Sequence, residues 1–532
     1  MATRKDQLDA FNFARRRMVA NLVVPTATGS DEGAPRPVKT FASSIILSAI
    51  AVAAVAVLGV FKPSAPSGWQ NGLAVDSSTG AAYIVQNNEL HAVVNITSAR
   101  LILGTNFKKY DVPDSTLNNS GMSIGAPVGI LGAPEDVPSA ASMTLTQWSL
   151  CQHESDASDQ TVANGPTYLE IGYGPSSSTT TWTSTGGPSD EGSNVALIVH
   201  DSGQNAYLVD GNYKYYVGNT STTAGADDVR NLLTAVHAGS SLVLGETGFW
   251  VSDAWLDAFT LGDPITYPTL TQTLNSSVTS SLKQPGTAVG QYNANPGLNG
   301  GGTVQTANGV LELSSFAYDL YAGNPALTTD SVQKLNASSL TQSAITEANG
   351  VGAAPTTSNV LEQNTYGPNW PQLPPSSLVG TDTASADTQN ICVGYSGTSA
   401  NGVPQLTTWV SASLPYGTAS GTFGLTQSTS NREATTVLVK PGYGLLAQGS
   451  SGGAGAGTIY LVEDSGYRYG LGTQTSTSTA SGSSSSTTVS ARTLLGYSNS
   501  TVETVPSTWI SLIQGGAMLN PNDAGKNPSS GD

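Results

Sequence analysis

The sequence predicts one N-terminal transmembrane helix followed by a β-rich α+β extracytoplasmic domain, a central body carrying four hairpin-plus-helix repeats in pseudo-twofold arrangement. Three observations predict it: an uncharged apolar run near the N-terminus, a reversal of charge across that run, and a Tyr–aliphatic–Val triplet that returns along the rest of the chain. The expected order is an arm (1–40), a membrane helix (41–61), repeat 1 (62–110), a first stretch of the central domain (111–190), repeat 2 (191–268) and a central segment (269–307). Repeat 3 (308–345), a second stretch of the central domain (346–437), repeat 4 (438–520) and a polar tail (521–532) complete the 532 residues.

The arm comes first. Residues 1–40 hold seven basic residues (Arg4, Lys5, Arg15, Arg16, Arg17, Arg36, Lys39) against four acidic ones, a net of +3. From Lys62 onward thirteen basic residues face thirty-three acidic ones, a net of −20. The overall charge of −17 excludes a general nucleic-acid binder, which needs a basic patch for phosphate. Between Lys39 and Lys62, the 22 residues Thr40–Phe61 carry no charge. As a helix such a run spans about 30 Å, enough to cross a hydrocarbon core. A cleaved signal peptide has a shorter apolar region and a shorter leader. A buried core helix is the other reading, but it needs an amphipathic pattern that Ile45–Phe61 lacks. Basic charge stays on the cytoplasmic side, which leaves residues 1–40 inside and the bulk outside. In the arm, Phe11 and Phe13 beside Arg15, Arg16 and Arg17 mark one contact face, either for a membrane partner or for anionic lipid.

The repeats follow. Tyr83-Ile84-Val85, Tyr207-Leu208-Val209 and Tyr460-Leu461-Val462 each come after an apolar run and a turn, the order of a β-hairpin. Downstream of each lies a basic residue before an aliphatic pair, Arg100, Arg230 and Arg492, in a short stretch with helix-capping residues nearby (Thr97-Ser98, Asp227-Asp228, Ser490). The arginines could face a partner or form helix-surface ion pairs. Tyr207 to Tyr460 is 253 residues, about twice the 124 between Tyr83 and Tyr207, so a degraded copy is expected between them. Gly309–Leu313, Tyr318 and Lys334-Leu335 are its candidates. Trp255 precedes Gly262 by seven residues as Trp509 precedes Gly516, an offset of 254. Two related halves of about 240 residues result.

The two cysteines occupy roughly equivalent positions in those halves, 241 residues apart. Outside the membrane a Cys151–Cys392 disulfide is permitted and would tie the halves together; two free structural thiols are the alternative. The Ser/Thr/Gly-rich stretches 176–185, 449–457 and 473–490 read as surface insertions, and the tail beyond Leu519 as disordered.

Chemistry-bearing motifs are sparse. There is no Gly-x-x-x-x-Gly-Lys-Ser/Thr, and the only Gly-Lys, Gly525-Lys526, is followed by Asn. Gly449–Gly453 matches Gly-x-Ser-x-Gly but lies in a Gly/Ser run rather than between a strand and a helix. His91, His153, His200 and His237 lack metal-ligand spacing. The acidic pairs Glu135-Asp136, Asp190-Glu191 and Glu463-Asp464 sit beside turns and read as solvated surface. No catalytic, cofactor-binding or metal residue is expected.

Several stretches together resemble the EccB family, the single-pass membrane component of type VII (ESX) secretion systems. They are Gln7–Phe13 with Arg15–Arg17, Leu90–Gly104, Ile124–Pro134, Trp148–Cys151, Cys392-Val393, Tyr460–Val462 with Tyr467–Tyr469, and Leu494–Tyr497. The resemblance implies a β-rich body with four peripheral repeats similar to phage-lysin wall-binding modules. It also implies assembly with an EccC motor ATPase, EccD and EccE into a hexameric inner-membrane machine. The family's ATPase label makes ATP conceivable as a ligand, by label alone. A spacer at 26–36 and the Ser/Thr-rich insertions depart from the family pattern. The expected function is a structural membrane subunit for protein export; the alternative is a membrane-anchored cell-wall-binding or wall-modifying surface protein.

Overall fold

The computed structural model describes residues 3–23, 44–52, 65–153, 165–174, 180–182, 195–236, 248–278, 286–294, 301–307, 309–335, 370–371, 374–375, 377–379, 390–398, 404–411, 414–416, 430, 432–450, 457–480 and 483–528. They fall into two compact units: Met1–Trp69 with Asp76–Thr79 and Asp111–Gly121, and Gln70–Val75 with Gly80–Tyr110 and Met122–Asp532.

In the first unit, α1 (Arg4–Val23) begins where the Thr3 amide and hydroxyl both donate to Asp6 (3.0 and 2.7 Å), which ties the first turn. Residues 44–52 are helical as well, with Ile45, Ile46, Leu47, Ile50 and Val52 all exposed. No described helix is long and apolar enough to cross a membrane. The remainder of the expected 41–61 span, like the spacer at 26–36, lies outside the described residues. A short helix, Asp114–Asn118, and a turn in which Asp76 accepts from Ser78 and Thr79 complete this unit.

One topology recurs along the chain. A three-stranded antiparallel meander is followed by a helix, and a return segment then runs back beside the first strand. The first occurrence is β1 (Leu73–Asp76), β2 (Ala82–Gln86), β3 (Glu89–Ala92), α2 (Ile96–Leu103) and β4 (Lys109–Val112). The outer strand β5 (Ser123–Ile124) then lies parallel to β3. Asn87 and Asn88, with φ of 50° and 65°, make the two-residue turn between β2 and β3, a conformation that asparagine tolerates better than most residues. Asn95 caps α2 by accepting from the Ser98 amide (2.8 Å), two residues ahead of the expected Thr97-Ser98. After β6 (Trp148–His153), β7 (Thr167–Ile171) and β8 (Thr180–Trp182) the topology returns. Its elements are β9 (Val195–His200), β10 (Asn205–Asp210), β11 (Tyr213–Asn219), α3 (Thr223–Val236), β12 (Phe249–Trp250), α4 (Asp253–Asp257) and β13 (Thr260–Leu261). The sheet order is β12-β9-β10-β11-β13, with β12 parallel to β9 and β13 parallel to β11. The Asp227-Asp228 pair lies inside α3 rather than at its start.

A smaller sheet follows: β14 (Tyr292–Ala294), β15 (Gly302–Thr306) and β16 (Gly309–Leu313), then α5 (Ser315–Ala322) and α6 (Pro325–Thr329). Lys334 bridges back parallel to Tyr292. This sheet starts ahead of residue 308: Gly309–Leu313 is its third strand, and its first two strands precede it. β17 (Ser377–Val379) adds to β9 in parallel. β18 (Asn390–Thr398), β19 (Pro404–Ser411) and β20 (Thr436–Val439) complete a central sheet of order β20-β7-β6-β18-β19-β8. The last occurrence is β21 (Gly444–Ser450), β22 (Ile459–Glu463) and β23 (Arg468–Gly470). Next come the ribbon β24 (Thr473–Ala480) and β25 (Ser483–Ser490), α7 (Ala491–Leu494), β26 (Val502–Pro506) parallel to β21, α8 (Ser507–Ser511) and α9 (Pro521–Ala524).

Three expectations are corrected here. Residues 473–480 and 483–490 pair as a ribbon, because threonine is a strong strand former. The chain beyond Leu519 is folded through residue 528: Ala524 is buried, and the Lys526 carbonyl accepts from the Gly129 amide (3.2 Å). Within 176–185, Thr180–Trp182 is likewise a strand, paired with β19.

The core joins these elements. One cluster mixes the central sheet (Leu150, Leu169, Ile391, Val393) with the second meander (Leu197, Val199, Trp255) and the last (Leu445, Val462, Trp509). A second joins α3 to α5 through Val229, Leu232, Phe316 and Leu320. A third joins Leu101 of α2 to Leu461, Leu495 and Tyr497. The meanders and their helices therefore pack in pairs, first with last and second with third, and the second and last lie on the central sheet.

Candidate functional site

The seam between the halves is the most explicit assembly. β6 and β18 pair antiparallel with Cys151 opposite Cys392, Leu150 opposite Val393 and Gln152 opposite Ile391. The cysteines form a disulfide, with Cα atoms 4.1 Å apart and both side chains wholly buried. Strand alternation sends Ile391 and Val393 into the large core and Cys392 to the other face, among Trp409, Leu414 and Tyr168. Above the seam, the Trp509 ring stands edge-on to Trp148 (6.4 Å between centroids) and leans on Tyr395 (5.7 Å). Its Nε1 donates to the Ala258 carbonyl (2.9 Å) after α4, and the Tyr395 hydroxyl donates to the Thr504 carbonyl (2.6 Å).

A contact shared by three meanders explains the glycine of the Trp–Gly spacing. Gly125, Gly262 and Gly516 donate their amides to the carbonyls of Leu90, Lys214 and Arg468 (3.0, 2.9 and 2.9 Å). A Cβ on any of them would fall 2.3–2.4 Å from the ring of the next residue, His91, Tyr215 or Tyr469. Glycine is required there because ring and backbone meet. Sequence spacing exposed two of these glycines; Gly125 escaped because no tryptophan precedes it by seven residues.

The helix arginines divide. Arg100 pairs with Asp136 (2.8 Å) and lies over Phe107, and Arg230 pairs with Asp227. Arg492 instead donates to the carbonyls of Tyr497, Ser498 and Ser500. Sequence reading missed Asp257, which accepts from both Lys214 (3.0 Å) and Arg432 (3.2 Å), a residue distant in the chain.

Several titratable groups are buried. Glu463, expected at the surface, is 3% exposed and accepts from the Ser465 hydroxyl and amide. Its strand is in register with β21, so the end of β22 turns inward; Asp190-Glu191 lies outside the described residues. Burial pushes Glu463, Glu170 and Glu503 each up to about 7, and pushes His200 down to about 4. They sit on β22, β7, β26 and β9, with Asp464 beside Glu463 and Asp201 beside His200. Among the described residues no group of three His, Cys, Asp or Glu side chains is placed to hold a metal ion. His237 and Ser451 lie outside the described residues.

These carboxylates make a testable pH dependence. A folded-state pKa above the unfolded value means that the folded protein holds the extra proton, so stability falls as pH rises from about 4.5 to about 7. Glu170 accepts from the Tyr416 amide (2.9 Å), a bond that a glutamine oxygen preserves. Glu170→Gln is expected to raise the melting temperature at pH 8 and to leave it nearly unchanged at pH 4. An equal shift at both pH values would refute the burial penalty.

The arm residues are gathered less closely than the sequence suggested. All described side chains of α1 are exposed, Phe11 at 65% and Phe13 at 59%. At 100° per residue, roughly, Leu8, Phe11, Arg15, Met18 and Leu22 share one stripe, while Phe13 lies with Arg16 and Arg17 on the other side. The expected single face is therefore two faces.

The family model for type VII secretion system ESX-1, transport TM domain B, matches residues 1–528. The ESX-1 secretion system ATPase EccB1 of Mycobacterium tuberculosis is 33% identical over 149 residues, 28% of this chain and only 30% of that relative's length. The ESX-3 secretion system ATPase EccB3 of the same species is 24% identical over 480 residues, 88% of this chain and 80% of the relative. The fold is similar to a chain of an intact ESX-5 inner membrane complex (TM-score 0.57, 17% identity, 98% of this chain and 95% of that one). It is also similar to the EccB3 dimer from an ESX-3 core complex (TM-score 0.55, 20% identity, 85% of this chain and 99% of that one).

Proposed function

The chain belongs to the EccB family of type VII (ESX) secretion proteins, and from that membership we propose that it is a structural, single-pass membrane subunit of a protein-export machine. The arm packs in the cytoplasm against an EccC-type motor, with EccD and EccE in the same membrane complex, and the body associates with further copies outside, as a homo-oligomer within a hexameric assembly. The carrying observation is the order of segments: a +3 arm, a 22-residue uncharged run and a −20 body of paired meanders across a disulfide-bonded sheet. Exposure of Ile45, Ile46, Leu47, Ile50 and Val52 around one helix supports membrane burial of that run, since apolar side chains on every face have no other solvent to prefer.

The stripe Leu8, Phe11, Met18 and Leu22 is the partner-facing side of the arm, and Arg16 and Arg17 lie toward lipid phosphate. Deleting residues 1–40 is expected to abolish co-purification with the motor while leaving the body folded. Retained co-purification would overturn the arm's role, and accumulation of processed protein outside the membrane would favour a wall-associated surface protein instead.

Enzymatic activity does not belong to this reading. The relatives carry an ATPase label, but this sequence lacks the glycine-rich phosphate loop that such chemistry uses. Purified full-length protein is expected to release phosphate from ATP no faster than a buffer blank; a rate abolished by one designed substitution would reverse this conclusion.

A further inference from the structure

We propose that the outer edge of β24 docks against the same strand of a second copy of this chain, joining two ribbons into one four-stranded antiparallel sheet. β24 and β25 pair over eight residue pairs, Thr473–Ser490 to Ala480–Ser483, without a register shift. In such a ladder every second residue turns its N–H and C=O away from the partner strand. Among the described residues neither strand pairs with a third. Free edges are ordinarily blunted by lysine, proline or a bulge. Residues 469–491 contain no charged residue and no proline, so this edge has none of those defences. A lone two-stranded ribbon is marginally stable in water, and further strands stabilise it.

Two observations select a second copy as occupant. The body from Lys62 onward carries −20, so copies repel over most of their surface; the 23 uncharged residues 469–491 form a stretch where they meet without opposition. The edge is also self-complementary. Threonine occupies 473, 475, 477 and 479, positions that alternation puts on one face, so a two-fold antiparallel pair sets threonine against threonine. The corresponding stretch of β25 is a serine run, Ser483–Ser486, a weaker strand former, which assigns the contact to β24. This inference names a surface for the self-association proposed above and rests on that reading; loss of co-purification tests the reading, and the cross-linking below tests the surface.

The test uses full-length protein in detergent, without the motor. Cys151 and Cys392 are joined and buried, so a single new thiol is the reactive one. Thr475→Cys, Ser476→Cys, Thr477→Cys, Ser478→Cys and Thr479→Cys are oxidised in turn. A two-fold pair places one residue opposite its own copy, so disulfide-linked dimer is expected to peak at one position, at least fivefold above the positions two residues away. A proline placed elsewhere on β24, two residues from the peak cysteine, should remove the dimer. No dimer at any position, equal yields along the strand, a peak in a matching series on β25, or an adduct to a different protein would each overturn the proposal.

Discussion

Trp509→Ala is expected to destabilise the second unit by about 3–5 kcal/mol, the range for deleting a fully buried tryptophan. The residue is wholly buried and stands where three elements meet. Its ring contacts Trp148 of β6 and Tyr395 of β18, while its Nε1 reaches the Ala258 carbonyl in the second meander's outer connection. Truncation removes apolar contact, opens a cavity between the sheet and two meanders, and strands a buried carbonyl. Trp509→Phe separates these effects in part: it keeps a six-membered ring in the contact and loses the hydrogen bond with the rest of the indole, so about 1–3 kcal/mol is expected. Trp255 is the built-in comparison. It is equally buried and packs on Phe259, but its Nε1 has no hydrogen-bond partner among the described residues, so Trp255→Phe should cost less than Trp509→Phe. Urea midpoints of the full chain read all three; equal losses for the two phenylalanine variants would remove the bridging role of Nε1.

The contrast between these tryptophans shows what a sequence conveys. Their spacing to Gly262 and Gly516 was legible because each pair lies within one local connection, helix to outer strand. The rings above the glycines, Tyr215 and Tyr469, come from strands about 47 residues earlier, and nothing local announces that approach. The same distinction runs through the fold. Tyr83, Tyr207 and Tyr460 marked the second strand of each meander because aromatic and β-branched residues cluster there. The third strands of the first and last meanders were missed since Glu89–Ala92 and Arg468–Gly470 are short and polar, held by pairing rather than by propensity. The third meander was displaced because its first strands, Tyr292–Ala294 and Gly302–Thr306, carry too few aliphatic residues to stand out.

Charge misled in a comparable way. Glu463-Asp464 beside a turn has the composition of solvated surface, yet only Asp464 is on the outside. Burial is a tertiary property, set here by the register of β22 with β21. Arm periodicity was available in the sequence, and it separates Phe11 from Phe13 once the helix is continuous from Arg4 to Val23. The disulfide was legible for a topological reason: cysteines in related halves, 241 residues apart, fall opposite each other only if the halves pair through corresponding strands.

Removing that disulfide is expected to cost about 4 kcal/mol, near the chain-entropy estimate of about 5 kcal/mol for so long a loop. The cross-link acts chiefly on the unfolded chain, because in the folded protein the β6–β18 ladder already holds the two strands from Trp148–Tyr395 to His153–Asn390. Cys151→Ala with Cys392→Ala should therefore keep the fold and its oligomers while lowering the urea midpoint. Reduced wild-type protein should unfold at the same midpoint as the double variant. Both cysteines are wholly buried, so a reductant acts only when the central sheet opens. Thiol labelling of native protein under reductant should then follow the opening rate and accelerate sharply in Trp509→Ala, whose cavity loosens the same sheet. A double variant with an unchanged midpoint would show that pairing through β6 and β18 alone joins the halves. Labelling that stays slow in Trp509→Ala would show that the tryptophan contact and the seam open independently.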